Sequence, residues 1–341
     1  MVVSVYRLTS VSGICCFSLK YVLLFFYGCF LYDNNLIDLE TRWKIFLFFV
    51  PFFKLVNWII GNNKVSLLQV IYSIFTDVIQ GYFLFNYAYI YSYGYKLPLT
   101  VLVQNILMMI FERIEFLLFP KGTNNIIIGS GLDNFGLMLA IVLLLYLVST
   151  FESNVPNVTN YFFFCQLLYE LIADFFFGCF HYMEHKVRSL WERHRIHHEY
   201  KLENVSMWAN FYADFYDALS QFGAFVMFPF FTFQYLGISM FPMYISETIT
   251  GLSTHNKYVT NHVASYYFFE SEIYDNTIGK LFGQQTIPEF HAIHHLHPNK
   301  YLGGWGYFTD ELFGYILDPI IILLKLNQNS DDGISTSEKD N

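Results

Sequence analysis

The chain has 341 residues, of which 55% are hydrophobic and only 14% charged, a balance that excludes an ordinary soluble globular domain. Its formal net charge of -9 offers no basic field for nucleic acid, and part of it sits in the last residues, Asp331, Asp332, Glu338 and Asp340. The cysteines Cys15, Cys16, Cys29, Cys165 and Cys179 form an odd set in apolar surroundings without CxxC spacing; they are expected to be reduced, lipid-buried thiols, not a disulfide framework or a zinc site.

In chain order, apolar runs near 13–32, 43–60, 65–92, 98–119, 132–150 and 160–180 each approach or exceed the length that carries a helix across a bilayer. With 39 Phe and 27 Tyr in the chain, long uncharged runs are a safer sign than average hydrophobicity. The first run carries Lys20 and no clear small-x-small site follows it, so it is expected to be an uncleaved span and not a secretory signal. Asp77 and the pair Glu112 and Arg113 interrupt later runs, which leaves four to six spans before the histidines begin. A polar stretch from His181 to about Asn204 follows, and then an aromatic-rich run over 212–253, broken by Pro229 and Gly237, that predicts a helical hairpin. Residues 255–315 are again more polar, 316–326 are short and apolar, and the tail 327–341 predicts disorder. The division expected is thus N-terminal spans over 1–160, a catalytic domain over 161–326 and the tail, with no internal repeat.

Lys186, Arg188, Arg193, Arg195 and Lys201 crowd the segment after the sixth run, and excess Lys and Arg at span ends marks the cytosolic side. The sequon Asn157-Val158-Thr159 would then be lumenal, and Asn204-Val205-Ser206 cytosolic and unmodified.

All 11 histidines fall between positions 181 and 297. Most lie in three groups: His181 and His185; His194, His197 and His198; and His291, His294 and His295. Spacings of three and four put side chains on one helical face, which lets two imidazoles of one helix reach one metal. Eight imidazoles exceed the needs of one tetrahedral zinc, so two metals with open positions are expected; imidazole suits iron, copper and zinc alike. His194 lies nine residues past His185, about half a turn away at about 100° per residue, so the helix must break or bend between them. Asp174 and Glu170 precede His181 by seven and eleven residues and align with the first pair, which makes Asp174 a candidate acceptor for an imidazole N–H. The HExxH zinc-protease motif is absent, because Glu184 is the third residue after His181. A single histidine on an apolar face is usually structural, but three groups beside apolar runs point to metal.

At these residues the chain resembles the fatty acid hydroxylase/sterol desaturase superfamily of membrane di-iron enzymes, with its HxxxH, HxxHH and later HxxHH pattern filled at all eight positions. Asp174, the nine-residue step from His185 to His194, and Leu190-Trp191 resemble the alkylglycerol monooxygenase and bacterial sterol desaturase-like branch. Pro288-Glu289-Phe290-His291, the run Asn299 to Gly304, and Asp310-Glu311-Leu312-Phe313-Gly314 resemble the family's closing motifs. Tyr182 in place of Arg, Thr309 in place of Trp, and Glu199 in place of Ser or Lys depart from it, and His255 and His262 compete for the place of an additional histidine.

The resemblance implies an all-α integral membrane bundle with a cytosolic-side, histidine-rich helical cap that holds two Fe ions. It further implies an O2-dependent hydroxylase of a lipid C–H bond (ether lipid, fatty acyl chain or sphingoid base), with the lipid entering from the bilayer, and a place in the endoplasmic reticulum membrane. Neither GxGxxG nor HPGG occurs, so a separate electron donor is expected, cytochrome b5 with its reductase or tetrahydrobiopterin. A sterol C-5 desaturase or C-4 methyl oxidase is the alternative on the same scaffold. A membrane metal-binding or transport protein is the alternative of another class, although a transporter would place its ligands within spans near the midplane.

Overall fold

The computed structural model describes residues 10–32, 39–60, 66–87, 162–199, 213–222, 294–299 and 309–324, together with single positions, among them Glu115, Tyr274 and His291. Every longer described element is helical. α1 (Ser10–Leu24) runs on as a π-helical stretch (Phe25–Tyr32), and α2 (Leu39–Ile60) and α3 (Leu67–Tyr87) pair with each other. α4 (Phe162–Lys186), α5 (Arg188–His194), a 3-10 turn (His197–Glu199), α6 (Phe215–Phe222) and α7 (Thr309–Leu323) build the region around the histidines. Helix thus occupies the expected runs wherever they are described, while most of 98–119 and 132–150, the greater part of the 212–253 hairpin, and the tail lie outside the described residues.

Among the described residues no helix is long and apolar enough to cross a membrane. One physical reason lies in the polar side chains within the helices: α3 carries Gln69, Ser73, Thr76 and Asp77, all buried. Asp77 pairs with Lys54 of α2, which also donates to the Ser73 hydroxyl, so the α2–α3 contact contains a buried ion pair beside Val50 and Val70. Elsewhere on α3, the Tyr72 hydroxyl donates to the Phe111 carbonyl at 2.8 Å. Cys15 and Cys179 are free thiols, with Cys15 exposed.

The core that supports the site lies between α4 and α7. Tyr182, Val187, Phe313, Leu317 and Ile321 form it, with Phe175, Cys179, Met183 and Leu190 against it. Positions 313, 317 and 321 recur every four residues and therefore share one face of α7. Phe313 is completely buried, with ring centroids 6.0 Å from Phe175 and 6.4 Å from Tyr182. The Tyr182 hydroxyl donates to Asp318 Oδ1 at 2.8 Å, and a Cβ at Gly314 would stand 3.3 Å from that hydroxyl oxygen. Tyr182, the departure from the familiar Arg, is therefore matched by its neighbours: Gly314 leaves it room and Asp318 accepts its hydrogen bond.

Candidate metal centre

The backbone breaks where the nine-residue step requires it. α4 ends at Lys186, Val187 is extended (φ -99°, ψ 117°), and α5 begins at Arg188. The Leu190 and Trp191 amides both donate to the Val187 carbonyl, at 3.0 and 2.9 Å, so the new helix starts at once in a new direction. This redirection brings His194 back to the face of α4 that carries His181 and His185. After Arg195 the chain tightens into the 3-10 turn that presents His197 and His198.

The eight expected histidines converge, in two groups. His181, His185, His194, His198 and His294 are all buried and offer ring nitrogens that lie within 4.8 Å of one another; His197, His291 and His295 form the second set. In the first group Nε2 of His194 is 3.2 Å from that of His181 and 3.1 Å from that of His198. His185 and His181 approach at 3.3 Å, and His294 and His198 at 3.1 Å, again through Nε2. In the second group His295 and His291 meet through Nε2 at 3.0 Å. Two nitrogens each about 2.1 Å from one ion and about 100° apart lie about 3.2 Å from each other, the separation found here. A cluster of five buried imidazoles can thus hold a metal. The groups adjoin, with the rings of His198 and His295 4.6 Å apart.

Burial holds His185 well below the ordinary imidazole range, and proximity to His181 and His294 lowers it further; burial, then His294 and His295, act likewise on His198. These rings are therefore neutral near pH 7 and keep a lone pair to offer. Trp191 packs against both, its ring centroid 5.0 Å from His185 and 5.6 Å from His198, and Phe177 stacks on His181 at 5.1 Å. Aromatic walls limit water at the cluster.

Of the remaining candidates, Asp174 stands in α4 but its side chain lies outside the described residues, as do His255 and His262. His297 is exposed and its amide closes a turn onto the His294 carbonyl. Among the described residues, a carboxylate stands behind a histidine at Asp217 of α6, whose Oδ1 and Oδ2 are 3.2 and 3.3 Å from His194 Nδ1. Glu184 lies beside it, its Oε2 3.6 Å from the same nitrogen. Burial, and then the charge of Asp217, push the Glu184 carboxyl well above the usual range, so it keeps its proton. Burial alone would raise Asp217, but hydrogen bonds from His194 and Glu184 outweigh it and hold Asp217 low, as a carboxylate. Spacing could not reveal this pair; the available signal was an acid inside an aromatic-rich run, which burial obliges to find a partner.

Residues 166–315 match the model of the fatty acid hydroxylase family. Fatty acid hydroxylase vlmA of Lecanicillium sp is 29% identical over 164 residues, which are 45% of this chain and 42% of that protein, so the chain spans less than half of this relative's length. No solved structure matches. The match of residues 166–315, and the gathering within them of the motif histidines, support membership of the fatty acid hydroxylase superfamily.

Proposed function

We propose that the chain is an O2-dependent membrane oxidoreductase that hydroxylates a C–H bond of a lipid (ether lipid, fatty acyl chain or sphingoid base) at a di-iron centre. The observation that carries this reading is the convergence of eight histidines as five and three, with Nε2 atoms spaced as about a metal. The first group would hold one iron and His197, His291 and His295 the other. When bound, the metals supply O2 activation: one oxygen atom enters the C–H bond, and the other leaves as water with two protons and two electrons. The protein's own residues keep the imidazoles neutral, orient them and wall off water. The electrons are assigned to a separate donor, cytochrome b5 with its reductase or tetrahydrobiopterin.

Large apolar side chains on the outside of the helices support the membrane setting. Phe48 and Ile59 of α2 are 68% and 70% exposed, and Leu323 of α7 is 79% exposed. Such a surface is costly in water and suits lipid. Exposed Arg188, Arg193 and Arg195 beside the cluster favour a cytosolic active site, in the endoplasmic reticulum.

Metal analysis of the purified chain with His294→Ala tests the proposal. About two metals per chain are expected, with loss of O2-dependent lipid product in the variant, since His294 is fully buried among the five. Unchanged turnover in His294→Ala would sink the assignment.

A further inference from the structure

We infer that Asp217 is a positioning residue for His194, delivered to it by the docking of α6 on α5, and that it fixes which ring nitrogen of His194 faces the cluster. The inference rests on the reading of the histidines as metal ligands. A neutral imidazole carries its proton on one nitrogen and a lone pair on the other. The Nε2 of His194 points at His181 and His198, while Nδ1 faces both oxygens of buried Asp217. A carboxylate at Nδ1 accepts the N–H there and leaves the Nε2 lone pair directed inward. The amide of Gln221, one turn further along α6, lies 3.5 Å from the same Nδ1, and Glu184 faces it from α4.

Residues on either side of one peptide bond make the clamp. While His194 meets Asp217, Arg193 Nη1 donates to Asp214 Oδ1 at 3.1 Å and its guanidinium lies 4.5 Å from the Tyr216 ring. The Tyr216 amide donates to the same Asp214 oxygen at 2.9 Å, which ties the start of α6 to this contact. Arg193 therefore anchors the helix at the surface, and Asp217 is presented three residues later, in the interior.

The test is zinc affinity of the full chain, measured by competition with a chromogenic chelator for wild type, Asp217→Asn, His194→Ala and their double variant. Asp217→Asn should weaken one zinc equivalent about 10–100-fold and leave the other at wild-type affinity. Because Asp217 acts through His194, the double variant should bind no more weakly than His194→Ala. Arg193→Ala, a change at the exposed anchor, should weaken the same equivalent severalfold without altering the melting temperature in excess chelator. That variant keeps the inference open to refutation should Asp217→Asn fail to fold. Wild-type affinity in Asp217→Asn or Arg193→Ala, equal weakening of both equivalents, or additive losses in the double variant overturns the inference alone. A wild-type chain that binds no zinc or iron overturns the proposed function with it.

Discussion

Truncation of Phe313 to alanine tests whether α7 supports the histidine helix. The side chain is completely buried, between Phe175 and Tyr182 of α4, the second of which directly follows His181. A buried phenylalanine removes on the order of 200 Å² from contact with solvent, and at about 25 cal/mol per Å² that corresponds to about 5 kcal/mol. Phe-to-Ala truncations in cores cost about 3–5 kcal/mol, so the area estimate and the usual range agree. Tyr315 is the control: it stands on the same helix and is 84% exposed, so Tyr315→Ala should cost no more than about 0.5 kcal/mol. Thermal unfolding of both variants in the same detergent, with metal content measured alongside, gives the comparison. Phe313→Ala should melt well below Tyr315→Ala and retain less metal, because its loss loosens the face of α4 next to His181 and His185. Equal melting temperatures for the two variants would refute the reasoning.

Two further outcomes follow from buried charge. Lys54→Met removes the Lys54 half of the buried pair with Asp77 and should destabilise by about 3–5 kcal/mol, whereas Lys54→Met with Asp77→Leu should recover most of the loss in denaturant unfolding. A double variant as unstable as the single one would contradict this. In the metal-free chain His185 and His198 are held below the ordinary imidazole value of about 6.5, so below that pH the unfolded chain binds more protons than the folded one. Stability should therefore be full above about pH 6.5 and fall as the pH drops below it; a melting temperature in chelator that stays flat from about pH 7.5 to 5.5 would argue against neutral, buried rings.

The gathering of the eight histidines was legible because its signal is local: spacings of three and four recur on a helical face, and the nine-residue step demanded a break that Val187 supplies. The closing motif was legible as a pattern, but its purpose was not. That Phe313 fills the core and Gly314 makes room for the Tyr182 hydroxyl depends on α7 meeting α4, 136 positions apart at the Tyr182–Asp318 hydrogen bond. Asp217, whose carboxylate lies against His194 from 23 positions beyond it, was not legible, because no spacing along the chain links the two.

The sequence by itself determined which eight imidazoles gather and that the helix carrying them must turn, since both follow from residue type and helical period. Only the tertiary structure decided their division into five and three and the placing of Asp217 against His194. Those outcomes depend on where separate helices cross, and periodicity along one helix carries no information about the register of its neighbour.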